Sequence, residues 1–224
     1  MPPAKPSATG NRNGDKAPRA DQTARRTRIQ AENSEKILAA ALDVFARDGF
    51  RGATIDRIAE AAGMSKPNLL YYFRGKDEIY RVVLDRLLDT WLEPLHAIDA
   101  AGDPMREIAG YIHRKLEMAR DYPRESRLFA GEIMRGAPIL EDVLSGPLKA
   151  LVDDKCDVIE GWVEAGKIAP VDPRHLIFAI WATTQHYADF DTQIRAVLGD
   201  GYTNHFNDAA RFLEHLFLDG LRPR

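Results

Sequence analysis

The sequence predicts an all-α fold, with a small three-helix head ahead of a larger helical body and about nine helices in total. Three observations predict it. Apolar residues recur at three- and four-residue steps along most of the chain. Helix starts are punctuated by a capping residue with a proline just inside, at Ser65 with Pro67, Asp103-Pro104 and Asp172-Pro173. Strand alternation, internal repeats and heptad arrays are missing from the pattern.

Residues 1–32 are rich in Pro, Gly, Lys, Arg and Ala and hold almost nothing apolar. They cannot bury enough surface to offset chain entropy, so a disordered tail is expected. Arg25, Arg26 and Arg28 stand just before the first helix, either as an arm adding phosphate or minor-groove contacts or as a solubilising tail. The first helix is expected from Asn33 to Asp48, with Ile37, Ala41, Leu42 and Phe45 on one face. Gly49 ends it, and Phe50 packs back onto the bundle.

Two short helices fit Thr54 to Lys76, and residues 33–76 make one unit. Thr54 and Ser65 are N-caps. Ile55, Ile58, Ala59 and Ala62 give the first helix one apolar face, and Gly63 suits the sharp turn that stops it. Pro67 falls in the first turn of the second helix, where its missing N–H breaks no bond. Leu69 and Phe73, four apart, point inward. Lys66, Asn68, Tyr71 and Tyr72 remain outside, with Lys76 just beyond. This is a helix-turn-helix offering cationic, aromatic and hydrogen-bonding groups to a phosphate-lined groove.

At these residues the chain resembles the TetR family of transcriptional regulators, whose pattern it matches at Thr54, Ile58, Ala59, Ala62, Gly63, Ser65, Leu69, Phe73 and Lys76. Met64 replaces the usual Val and Pro67 a common Gly. Leu70 stands where many members have Tyr, which moves a phosphate contact to Tyr71 or Tyr72. The resemblance implies a dimer on double-stranded operator DNA, with residues 77–224 as ligand-binding and dimerisation domain. Lys66, Pro67 and Tyr71 are expected to face bases, and Thr54, Tyr72 and Lys76 to hold phosphates, with Ser65 and Asn68 in the same surface.

One long pattern follows from Asp77 to about Ala101, and Pro94 inside it predicts a kink near Trp91. Further helices are expected over residues 103–120, 124–134, a run ending at Gly166 and interrupted at Gly146-Pro147, 172–190 and 204–218. In the last of these Phe212, Leu216 and Leu213 make an apolar stripe.

The 224 residues allow a sizeable core and one or two domains. Net charge is −3, yet residues 1–80 carry +4 and the rest −7, a basic head on an acidic body that fits nucleic-acid contact through the head. The single Cys156 excludes an internal disulfide and fits a reducing compartment. No apolar run reaches the length of a membrane span, and the N-terminus lacks a signal-peptide core, so a cytoplasmic protein without membrane partner is expected. None of the six histidines sits in a nucleophile, zinc or phosphate motif, which argues against an enzyme and against a cofactor or metal. His186 and Asp189, three apart, are too few for a metal.

A second site is suggested by residues 177–190, where Ile177, Trp181, Thr184, Gln185 and Ala188 share a face that changes from apolar to amide. A pocket with apolar walls and few polar groups is one reading; core packing and an interface cap is the other. A neutral amide suits a flat heterocycle, accepting from a ring N–H while donating to the adjacent carbonyl, as in uracil. Trp181 or Trp91 is then a stacking partner. A closer resemblance within the family, to its regulators of pyrimidine utilisation, runs from about residue 35 to the C-terminus. It is carried by Arg120-Asp121-Tyr122-Pro123, Ser126-Arg127-Leu128-Phe129 and Thr184 to Phe190. It implies a homodimer that binds a pyrimidine, uracil or thymine, and then releases DNA, with Trp91, Lys115 and Arg127 as further ligand candidates. A family regulator answering to a different small hydrophobic ligand is the alternative.

Overall fold

The computed structural model of the chain describes residues 18–199 and 201–223, and every regular element among them is helical. α1 spans Pro18–Gly52, broken at Gly49, whose φ of 67° only glycine adopts readily. α2 (Ile55–Ala61), α3 (Lys66–Tyr72) and α4 (Lys76–His96) follow. The body adds α5 (Pro104–Asp121), α6 (Pro123–Met134), α7 (Glu141–Val143), a π-helical turn at Leu144–Leu148, α8 (Lys149–Glu164), α9 (Pro173–Asp189), α10 (Asp191–Leu198) and α11 (His205–Leu221).

The local signals act as expected at most boundaries. Thr54, Ser65, Asp103 and Asp172 each accept a backbone N–H three residues on. Gly63, at φ 67°, makes the turn between α2 and α3. Gly146-Pro147 falls within the π-helical turn, a widened turn in which the donor missing from proline is tolerated.

Three expectations change. The tail assigned to residues 1–32 is helical from Pro18, so α1 starts before Asn33. Its Ala, Arg, Gln and Glu content favours helix, and Arg28 pairs with Glu32 one turn away. Residues 1–17 and the side chains of Arg25 and Arg26 lie outside the described residues. α4 ends at His96, with Pro94 in its last turn. α10 was not expected; it caps the end of α9 after Phe190. In α11 Leu213 is buried, whereas Phe212 and Leu216 face outward.

Two apolar cores result. One gathers Ile37, Phe45, Ile58, Leu69 and Leu84 from the head and takes Leu128, Ala137 and Leu140 from the body, so it does not end at residue 76. The other fills the body between α5, α8, α9 and α11. Leu87, Trp91 and Met118 form a small cluster with Phe129.

The head is pinned to the body by a buried carboxylate. Glu132, 1% exposed, accepts from Tyr80 Oη at 2.9 Å, from Arg135 at 2.7 Å and from the Ile139 N–H at 3.0 Å. Tyr80 in turn meets the Phe45 ring edge-on, at 4.8 Å between centroids. Burial beside Glu132 pushes the Tyr80 phenol far above its ordinary range. Truncation of Glu132 leaves the Ile139 N–H unpaired and a void beneath Tyr80. Glu132→Ala is therefore expected to lower unfolding stability by about 2–4 kcal/mol in urea titration, and a loss under about 0.5 kcal/mol would show the tie to be dispensable.

Candidate nucleic-acid interface and ligand centre

The outward face of α3 is built from both of its ends. The Ser65 cap fixes the first turn, with Pro67 inside it, and buried Leu69 and Phe73 anchor the inner face. Lys66, Pro67, Asn68 and Tyr71 are left exposed; Tyr71 is 68% exposed. Lys66 pairs with Asp56 at 3.0 Å, both in water, a weak and easily exchanged contact. Thr54 caps α2 with its side chain exposed. Tyr72 is half-buried, and its ring lies edge-on to Tyr71 at 5.2 Å and 88°.

Lys76 has partners within the head. Its ammonium donates to the carbonyls of Phe50 at 2.7 Å and Ala53 at 3.0 Å and lies 4.4 Å above the Phe50 ring. It closes the orphan carbonyls at the end of α1 and holds the start of α4 against them.

The ligand candidates separate into two groups. Trp91, Lys115 and Gln185 come from α4, α5 and α9 towards one centre, joined by Ser126 of α6 and Asp189 of α9. Lys115, 4% exposed, places its ammonium 4.9 Å from the Trp91 ring centroid. Burial drives this ammonium from 10.5 down to about 7, against the opposing pull of Asp189. Ser126 Oγ donates to Asp189 Oδ1 at 2.6 Å, and Gln185 also bonds the Asp189 carboxylate. Desolvation raises the Asp189 carboxyl above its ordinary value in spite of these partners. Trp91 Nε1 is buried with no acceptor. A cavity of 310 Å³ opens beside Trp91, between Leu38 and Leu42 of α1, Leu87 of α4 and Tyr122.

Trp181, Thr184 and Arg127 have other partners. Trp181 Nε1 donates to Tyr111 Oη at 2.5 Å. Thr184 is fully buried and its hydroxyl returns to the Ile180 carbonyl of its own helix at 2.7 Å. Arg127 is exposed and donates to the Ala188 carbonyl at 3.3 Å. Trp181 and Thr184 have their polar groups engaged in this way, while the Arg127 guanidinium acts on the Asp189 carboxylate by its charge. His186 is exposed and stacks on Phe190 at 4.8 Å. Among the described residues no cluster of three or more metal-ligating side chains occurs, and no helix is long and apolar enough to cross a membrane.

Comparison with known proteins follows this division. A family model described as "Bacterial regulatory proteins, tetR family" matches residues 37–83, and one described as "YcdC-like protein, C-terminal region" matches residues 84–224. The HTH-type transcriptional regulator RutR of Escherichia coli (strain K12) is 49% identical over 204 residues, covering 90% of this chain and 96% of its own length. The chain belongs to the TetR family.

Among solved TetR-like structures, the regulator SCO4942 from Streptomyces coelicolor aligns with a TM-score of 0.68 at 24% identity, covering 85% of this chain and 98% of its own. AibR, solved with isovaleryl coenzyme A and operator DNA, aligns with a TM-score of 0.62 at 16% identity, covering 82% and 97%. These two show a shared fold. As a RutR-like TetR protein the chain is a DNA-binding transcriptional regulator and not an enzyme.

Ser126 and Asp189 were missed as members of the centre because nothing in their local pattern separates a buried pair from a surface one. The only available signal was a carboxylate one turn after Gln185. Lys115 gives the centre a pH signature. Below about pH 7 both folded and unfolded chains hold its proton, and the cost of burying the charge stands in full. Between about 7 and 10.5 the unfolded chain binds more protons, so this residue makes unfolding stability rise with pH. The stability of the wild-type chain relative to Lys115→Met is therefore expected to grow between about pH 7 and pH 9.5 in parallel urea titrations, whereas a constant difference would contradict a depressed Lys115.

Proposed function

We propose that the protein is a homodimeric regulator whose operator binding is relieved by uracil or thymine. The observation that carries this reading is the meeting of buried Trp91, Lys115 and Ser126 with half-buried Gln185 and Asp189, together with the sequence resemblance to pyrimidine-utilisation regulators. A pyrimidine ring presents two carbonyls and two N–H groups in one plane. Lys115 and the unpartnered Trp91 Nε1 supply donors for carbonyls, and Gln185 and Asp189 supply acceptors for ring N–H groups. The Trp91 ring and Met118 supply the apolar wall. A ligand hydrogen-bonded in this centre is discriminated from analogues that lack a partner by roughly 1–3 kcal/mol per unmatched group.

Dimerisation is proposed through α9 and α11, where Phe178, Phe212 and Leu216 leave apolar surface outside the fold. Two copies joined there present two α3 helices to successive major grooves, about 34–36 Å apart or at a multiple of that distance. Lys66, Pro67 and Tyr71 face bases in this arrangement, and Thr54 and Tyr72 hold phosphates. A ten- to hundredfold loss of DNA affinity on ligand uptake requires only about 1.4–2.7 kcal/mol of coupling.

The second reading, a different and more hydrophobic effector, is favoured by the cavity beside Trp91, whose floor is Leu38, Leu42, Val83 and Leu87. Calorimetry with uracil, thymine and hydrophobic cations separates the two. Gln185→Leu is expected to retain DNA binding and to lose both uracil binding and uracil-driven release. Undiminished uracil binding by this variant would place the effector elsewhere.

A further inference from the structure

We propose that the middle of α1 is part of the DNA-reading surface, with Gln30 and Asn33 as positioning residues for the two tyrosines of α3. The proposal rests on the placement of α3 in the major groove and goes beyond it. Gln30 and Asn33 are three apart, so they share one face of α1. Gln30 Nε2 donates to Tyr71 Oη at 3.2 Å, and Asn33 Nδ2 donates to Tyr72 Oη at 2.8 Å. The pairs span 41 and 39 residues of sequence, and they tie α1 to the helix that meets the groove.

The polarity of these bonds matters more than their strength. In each, the amide is the donor and the phenol oxygen the acceptor, so each tyrosine keeps its own hydroxyl hydrogen. The two phenols are thereby presented as donors, to phosphate oxygens or to the acceptor edges of guanine and thymine in the major groove. The edge-on contact between the rings makes each one limit the other's rotation. An exposed bond such as Gln30–Tyr71 adds little to stability in water, so its consequence is orientation.

The test uses the full-length protein and a duplex that the wild-type chain enriches from a random-sequence library, with affinity read by fluorescence anisotropy. Asn33→Ala is expected to weaken binding roughly fivefold to tenfold on the selected and random duplexes alike, because its partner Tyr72 holds a phosphate, whereas Gln30→Ala, acting through base-facing Tyr71, weakens the selected duplex and spares the random one. The melting temperature holds, because alanine is the better helix former at that position. In a Tyr72→Phe background, Asn33→Ala is expected to cause no further loss; Gln30→Ala and Tyr71→Phe form a second cycle with the same expectation. Asn33→Asp, which takes the hydroxyl hydrogen for itself, is expected to weaken binding more than Asn33→Ala. Additive losses in both cycles, or equal losses on selected and random duplexes for Gln30→Ala, would overturn the proposal. If the wild-type chain enriched no duplex at all, the groove placement would fall and the proposal with it.

Discussion

The Glu132 carboxylate is the contact on which the two halves of the molecule depend. Burying a charge is costly unless its acceptor sites are filled, and here a phenol, a guanidinium and a backbone N–H fill them. Each partner belongs to a different segment. Tyr80 is in the helix that leaves the head, Arg135 follows α6, and Ile139 lies in the loop beyond, where Ala137 is held at φ 54°. The head's own core is closed by Leu128, Ala137 and Leu140 from those same body segments. Two ion pairs, Arg86 with Glu35 and Arg124 with Asp43, run across the same boundary at the surface and add little by themselves.

The ligand centre lies on the same two helices. Trp91 is eleven residues beyond Tyr80 on α4, roughly 16 Å along the axis, and the backbone between them is helical without a break. Ser126 is six residues before Glu132 on α6. The Leu87, Trp91 and Met118 cluster is small and shares Phe129 with the core of the head. Displacement at one end of α4 reaches Tyr80 because close-packed helices shift as units. The Lys76 clamp on Phe50 and Ala53 then carries that shift into the end of α1. Under the proposed function, shared rigid elements are enough to couple the two sites without a separate pathway.

Much of this was legible from local chemistry. Caps at Thr54, Ser65, Asp103 and Asp172 act within three residues, and the Gly63 turn needs nothing beyond its own φ. What stayed hidden mostly depended on distant partners. The motif gave the position of Lys76 but not the two carbonyls that hold it. The Thr184 hydroxyl, named as a ligand candidate, has a local partner, an acceptor one turn back in its own helix. The start of α1 was hidden by a composition that suits a tail, although its residue types are also good helix formers once a pair such as Arg28 and Glu32 supports them. Gln30 and Asn33 were invisible for a further reason, since their partners lie about forty residues away.

The central claim is that the Trp91–Lys115 centre and the outer face of α3 are two ends of one linked equilibrium. Calorimetric titration of uracil into the protein, with and without a saturating selected duplex, tests it most directly. The account predicts that the duplex weakens uracil binding by the same factor by which uracil weakens the duplex, tenfold or more. Equal uracil affinity in the two titrations would contradict it.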